Sequence, residues 1–142
     1  MERLIRELKE EEGLRLDVYL DTKGFPTVGY GCRVAVGDKI NLETAEELFK
    51  YRLAQVISDF YRIPHELTKH LNDARRRVVC QMIYQMGFSG TMGFTKMWKA
   101  VEDRDFDWAA EEILNSKLAC DTPNRAFRYA KIMREGRDYH DL

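Results

Sequence analysis

Apolar positions along this chain change their period as it is read. Leu4, Ile5 and Leu8 recur at helical spacing and Gly13 follows as a stop, which predicts a helix over about residues 2–12. Leu14, Leu16, Val18 and Leu20 then alternate with Arg15, Asp17 and Tyr19, the period of a half-buried strand. Asp21-Thr22-Lys23-Gly24 reads as a turn. Phe25 to Gly31 reads as a returning strand in which Pro26 argues for an edge position. Cys32 to Val36 predicts a third short strand, stopped by Gly37-Asp38-Lys39. The stretch from about residue 14 to 36 is thus a small antiparallel hairpin or meander.

Helical spacing resumes beyond it. Asn41 suits an N-cap, and Ala45, Leu48, Phe49, Leu53, Val56, Ile57 and Phe60 trace one apolar face over about five turns, ended by Pro64. Val78, Val79, Met82, Ile83 and Met86 belong to a segment apolar nearly all round, which predicts a central buried helix. Gly87, Gly90 and Gly93 predict a loop, followed by helices over about 94–103, 107–118 and 123–134. Thr122 is the expected N-cap of the last, with Pro123 in its first turn. The fold class is α+β: a small antiparallel sheet lobe (about 13–60) and a larger helical lobe (about 61–142, plus helix 1–12). A long helix joins the lobes of what is expected to be one domain, with a cleft between them where a ligand would lie.

Composition narrows the function classes. The 142 residues are 44% apolar and 33% charged, as in an ordinary globular chain. There are 23 Lys and Arg against 24 Asp and Glu, so charge supplies no case for nucleic acid or an anionic surface as partner. Arg75-Arg76-Arg77 reads as a solvated helix face rather than a polyanion contact. Cys32, Cys80 and Cys120 are odd in number and widely spaced, with no CxxC pairing for zinc. Three reduced, mostly buried thiols are expected, with no metal and no cofactor, in keeping with synthesis in a reducing cytoplasm. The opening run MERLIRELKEEEG lacks an apolar signal core, and no stretch nears the ~18 apolar residues of a membrane span. The expectation is a chain with no export address, no anchor and no stable membrane association of its own.

Candidate chemistry gathers around the hairpin. Leu8 and Glu12 are four apart, so the first helix's apolar stripe runs on towards Glu11 and Glu12, with Glu10 turned away. Burial and the negative end of a helix dipole each raise a carboxyl pKa, which suits a proton donor. Asp21 lies at the turn and Thr27 on the return strand. Glycoside hydrolysis needs two carboxyl groups across the scissile bond, and a hydroxyl beside the second can orient a water. By spacing alone the pairing is weak, since 24 acidic residues offer many pairs, Asp21 fits an Asx turn, and Thr27 fits a strand. The pattern leaves Glu11 and Glu12 both open.

The run Glu12-Gly13-Leu14-Arg15-Leu16-Asp17-Val18-Tyr19-Leu20-Asp21-Thr22-Lys23-Gly24-Phe25-Pro26-Thr27-Val28-Gly29-Tyr30-Gly31 resembles the active-site segment of the phage-type lysozymes, the endolysins of glycoside hydrolase family 24. Gln81-Met82-Ile83-Tyr84-Gln85-Met86-Gly87 with Gly93-Phe94-Thr95, and Thr122-Pro123-Asn124-Arg125-Ala126, are similar to two later motifs of that family in the same order. The resemblance implies a lysozyme-like fold and hydrolysis of the β-1,4 bond between N-acetylmuramic acid and N-acetylglucosamine in peptidoglycan. It selects Glu12 over Glu11 as general acid, with Asp21 and Thr27 holding the attacking water, and so inversion. It implies support of the acid by Arg125, and substrate contacts by Gln85 and Phe94; Tyr30 is an aromatic near the site. A monomer made in the host cytoplasm, reaching the wall only when a separate holin-like protein permeabilises the membrane, would follow. Cys32 stands where one member carries a structural histidine, and the stretch from Cys32 to Asn41 is shorter than in that member, which implies a trimmed small lobe. The near-neutral charge implies reliance on the groove more than on electrostatic steering.

Overall fold

A computed structural model describes residues 1–34 and 39–141. The end of the expected third strand at Ala35-Val36 and the stop at Gly37-Asp38 lie outside the described residues. The chain forms two compact units, Met1–Ile57 and Ser58–Leu142, and their elements make an α+β fold.

In the first unit, helix α1 (Glu2–Glu12) buries Leu4 and Leu8, and Gly13 stops it at φ 67°, its N–H reaching the Lys9 carbonyl. Strands β1 (Arg15–Leu20), β2 (Pro26–Gly29) and β3 (Cys32–Arg33) form an antiparallel sheet in the order β1-β2-β3. Pro26 therefore stands in the central strand, not at an edge. It is tolerated because it is the strand's first residue, where its carbonyl still accepts the Val34 N–H at 2.8 Å.

The alternation in β1 does not bury one face. The pairing register shifts between Arg15 and Tyr19, and a shifted register breaks the correspondence between sequence parity and sheet face. Leu14, Leu16 and Leu20 are 44%, 41% and 61% exposed. Burial falls instead on Thr27, Val28, Gly29 and Tyr30.

Helix α2 (Leu42–Arg62) begins at Asn41, whose side chain accepts the Thr44 N–H at 2.8 Å, as the N-cap reading expects. It buries Ala45, Phe49, Leu53 and Val56. Gly29, at φ 66°, lets β2 approach it closely: a Cβ there would stand 3.3 Å from the Ala45 Cβ. Lys9 ties α1 to α2, 2.9 Å from both Glu46 carboxylate oxygens and 4.9 Å from the Tyr30 ring centre. Helix α1 thus belongs by its contacts to the unit that holds the sheet.

The second unit is helical: the end of α2, then α3 (His65–Thr68), α4 (Asp73–Met92), α5 (Thr95–Glu102), α6 (Phe106–Leu114), α7 (Lys117–Asp121), α8 (Pro123–Glu135) and a closing 3₁₀ turn, Tyr139–Asp141. Every residue from Val78 to Tyr84 is buried, as a centrally placed helix requires. The glycine-marked loop is smaller than expected. Only Gly87 leaves helical geometry (φ 82°, ψ 169°), and helix resumes to Met92, held by the Thr91 hydroxyl on the Gly87 carbonyl at 2.9 Å. The expected helix 107–118 is broken at Asn115-Ser116. Ser116 is extended and its hydroxyl donates to the Ile113 carbonyl at 2.6 Å, the competition with helix that serine commonly offers.

Of Arg75, Arg76 and Arg77 only Arg76 is exposed, so the run is not simply a solvated face. Arg75 donates to the carbonyls of Met133 (2.7 Å) and Arg134 (3.1 Å) and lies 3.4 Å over the Phe106 ring, so it satisfies the C-terminal carbonyls of α8. Arg76 donates to the Leu71 carbonyl at 3.0 Å, and Arg77 pairs with Asp138 and Asp73. The thiols also differ from expectation: Cys80 is buried and pushed up to about 12 by desolvation, Cys32 is half-buried, and Cys120 is exposed. Among the described residues, no helix is long and apolar enough to cross a membrane.

Candidate active site

The hairpin between β1 and β2 carries a dense polar arrangement. The Asp21 Oδ1 accepts the backbone N–H groups of Lys23 and Phe25, each at 2.9 Å. The Gly24 N–H donates to the Asp21 carbonyl and the Asp21 N–H to the Phe25 carbonyl, both at 2.9 Å, and Gly24 takes φ 81°. This is the local geometry that an Asp-x-x-Gly sequence favours, because aspartate accepts from amides just beyond it and glycine admits positive φ.

Phe25 links Asp21 to Thr27. Its N–H goes to the Asp21 carboxylate, and its carbonyl accepts the Thr27 hydroxyl at 2.9 Å. Thr27 is 3% exposed, on the central strand, where side chain and backbone are both held. Its hydroxyl proton is committed to Phe25, which leaves the oxygen's lone pairs to accept.

The second Asp21 oxygen, Oδ2, faces Arg33 Nε at 3.6 Å. Partial burial acts to raise the Asp21 carboxyl, but the Phe25 and Lys23 amides and the charges of Arg33 and Lys23 outweigh it. The carboxyl sits below the ordinary aspartate value. Asp21 is therefore an ionised carboxylate with one oxygen fixed by the turn and the other beside a cation.

Glu12, the last residue of α1, is half-buried against the strand segment after β2. Gly31 makes room for it: a Cβ built on Gly31 would stand 2.7 Å from Glu12 Oε2, and Gly31 holds φ 75°. One glycine thus meets two demands, positive φ and close approach. Glu12, Asp21 and Thr27 all lie in the first unit, each anchored to or against the hairpin backbone.

The remaining residues named from sequence are placed differently. Tyr30 is 8% exposed, its hydroxyl donates to Glu46 at 3.3 Å, and its ring meets Phe49 at 5.4 Å, which is core packing. Gln85, in the second unit, donates to the Thr122 hydroxyl at 3.0 Å and accepts from the Tyr129 hydroxyl at 3.4 Å, so both ends of its amide are engaged within the helices. Thr122 does occupy the N-cap position of α8, but it makes no capping bond; its hydroxyl donates to the Leu118 carbonyl at 3.1 Å instead. Phe94 is half-buried ahead of α5, and Arg125 is half-buried in the first turn of α8.

Sequence reasoning did not single out Arg33, Gly31 or the Phe25 backbone. The positive charge two residues beyond Gly31 was visible, but its approach to Asp21 depends on pairing between strands. Among the described residues no three His, Cys, Asp or Glu side chains gather as a metal site would require.

Comparison with known proteins identifies the family. Residues 9–121 match the family described as Phage lysozyme. The chain is 33% identical to an "Endolysin" of Salmonella phage P22, covering 84% of each protein. It is 26% identical to the "Probable T4-type lysozyme 1" of Dictyostelium discoideum, over 91% of this chain and 92% of that one. It is 28% identical to the "Pre-baseplate central spike protein Gp5" of Enterobacteria phage T4, where 91% of this chain matches 27% of the longer protein.

Proposed function

Because the chain belongs to the phage lysozyme family, and is a glycoside hydrolase of the muramidase type acting on peptidoglycan, we propose a specific mechanism for it. Glu12 is the general acid that protonates the leaving oxygen of the N-acetylmuramic acid–N-acetylglucosamine bond. Asp21 is the general base, and Thr27 is the second holder of the attacking water. One observation carries this reading: the Phe25 backbone binds Asp21 through its N–H and Thr27 through its carbonyl, so carboxylate and hydroxyl are both tied to the main chain of one residue.

The water donates one proton to Asp21 Oδ2 and the other towards the lone pairs of Thr27 Oγ1, and its own lone pair meets the anomeric carbon. A base must be ionised to act, and the lowered carboxyl of Asp21 supports that role. Attack by a held water rather than by a carboxylate inverts the anomeric centre. The family resemblance implies support of the acid by Arg125 and sugar contacts by Gln85 and Phe94, whereas Tyr30, the aromatic near the site, packs on Phe49 in the core of its unit. The enzyme acts as a monomer and lyses its host as an endolysin, reaching the wall once a separate holin-like protein has opened the membrane; the phage P22 relative named "Endolysin" supports this reading.

Clearing of purified Gram-negative wall by wild type and by Glu12→Gln tests the assignment. The expected outcome is clearing by wild type and a loss of about a thousandfold or more in the variant, since removing a required proton donor costs at least the 10²–10⁴ that acid catalysis contributes. Equal clearing by both overturns the role of Glu12. Proton NMR of the first anomer released tests the stereochemistry: the α anomer is expected, and the β anomer overturns inversion. The alternative reading is a non-catalytic glycan-binding or structural module of the same fold. Wild type that binds wall without clearing it would establish that reading instead.

A further inference from the structure

The two oxygens of the Asp21 carboxylate have different surroundings. Oδ1 is saturated by two turn amides, so Oδ2 is the oxygen left to take a proton from water. The side chain beside Oδ2 is Arg33, on β3, whose cross-strand partner is Thr27. Directly paired residues project to the same face of a sheet, so Arg33 and Thr27 share a face. The Arg33 guanidinium is itself held, 3.9 Å from the centre of the Phe25 ring. Phe25 therefore organises all three: its backbone holds Asp21 and Thr27, and its ring seats Arg33.

We infer that Arg33 is a positioning residue for Asp21, fixing the rotation of the carboxylate so that Oδ2 is presented to the attacking water. This rests on Asp21 being the base. At 3.6 Å, Arg33 Nε is within ion-pair range but beyond a direct hydrogen bond, so the lone pairs of Oδ2 remain available to accept. Arg33 resists rotation of the carboxylate without blocking it. Its charge, with that of Lys23 from the turn, also keeps Asp21 ionised as the medium becomes acidic. A bound proton is then returned readily to solvent after each turnover.

The test compares wild type with Arg33→Gln, Arg33→Lys and Asp21→Asn. Carbon-13 NMR of the side-chain carboxyls, assigned by the resonance missing from Asp21→Asn, gives the titration midpoint of Asp21. Rates on soluble peptidoglycan fragments give kcat and KM against pH. In Arg33→Gln the Asp21 midpoint is expected to rise by about half a unit or more, with the acidic limb of kcat/KM following it. The kcat falls about tenfold, as misorientation of a catalytic group does, while KM stays near wild type. Arg33→Lys restores the midpoint but only part of kcat, since an ammonium lacks the planar face that stacks on Phe25.

An unchanged midpoint in Arg33→Gln, or a shifted midpoint with unchanged kcat, overturns the inference. Failure of the underlying reading looks different. If Asp21→Asn keeps its kcat, Asp21 is not the base; if Asp21→Asn is inactive while Arg33→Gln is normal, Asp21 stands and Arg33 has no positioning role. Melting curves on all variants separate these outcomes from loss of fold.

Discussion

Strand β1 and helix α4 are both rich in aliphatic residues, yet they end in opposite environments. Leu14, Leu16 and Leu20 flank or belong to a strand and are 41–61% exposed. Val78, Val79, Met82 and Ile83 belong to a helix and are buried to 1% exposure or less. The difference lies in the layers around them. Helix α4 packs on α8, which packs on α6 and α7, and its stretch from Val78 to Tyr84 is buried at every position. Strand β1 borders a three-stranded sheet of irregular register, with backbone groups and polar side chains at its end. A packed helical unit contributes most of the hydrophobic stabilisation, while the small sheet offers turn amides, a buried threonine and a carboxylate where water can reach them. The proposed chemistry belongs to the thinner unit, because a base and its water cannot work inside a sealed core.

Mutations can break this contrast, and the largest effect is expected in α4. Ile83→Ala removes most of a side chain that is 1% exposed and should destabilise the protein by about 2–5 kcal/mol, seen as a lower urea midpoint. Specific activity of the folded fraction should stay near wild type. Gly31→Ala comes next. It forces a Cβ to 2.7 Å from Glu12 Oε2 at φ 75°, with a backbone cost of about 1–2 kcal/mol. Wall clearing should fall by about tenfold or more, well beyond what the lost stability explains, because the acid is displaced. Wild-type clearing by this variant would mean that Glu12 tolerates displacement. The smallest effect is expected in β1: Leu16→Thr introduces a β-branched strand former at an exposed position and should shift stability by no more than about 0.5 kcal/mol. A loss above about 2 kcal/mol would place Leu16 in a core and erase the distinction between the two elements.

Features set by neighbouring residues were readable from the sequence. The first helix and its Gly13 stop, the Asn41 cap, the buried character of α4 and the Asp21 turn each depend on residues within a few positions of one another. Such interactions form in the local chain and need no partner from elsewhere. The α+β class follows from the order of these pieces, and the family motifs named Glu12, Asp21 and Thr27.

Tertiary structure decided the rest. Arg75 looks like a surface cation until the end of α8 presents its carbonyls 58 and 59 residues away. Gln85 looks accessible until Thr122 and Tyr129 meet its amide. Thr122 reads as a cap but its hydroxyl donates to α7, and Pro26 reads as an edge residue but opens a central strand. A polar group bonds to whichever partner folding brings near, and a strand is buried only where another layer covers it. Arg33 depends on both conditions: strand pairing sets it opposite Thr27, and the hairpin carries Phe25 beneath its guanidinium and Asp21 beside it. Local sequence determined the turn that holds Asp21. Only the paired strands decided which cation stands over the oxygen it leaves open.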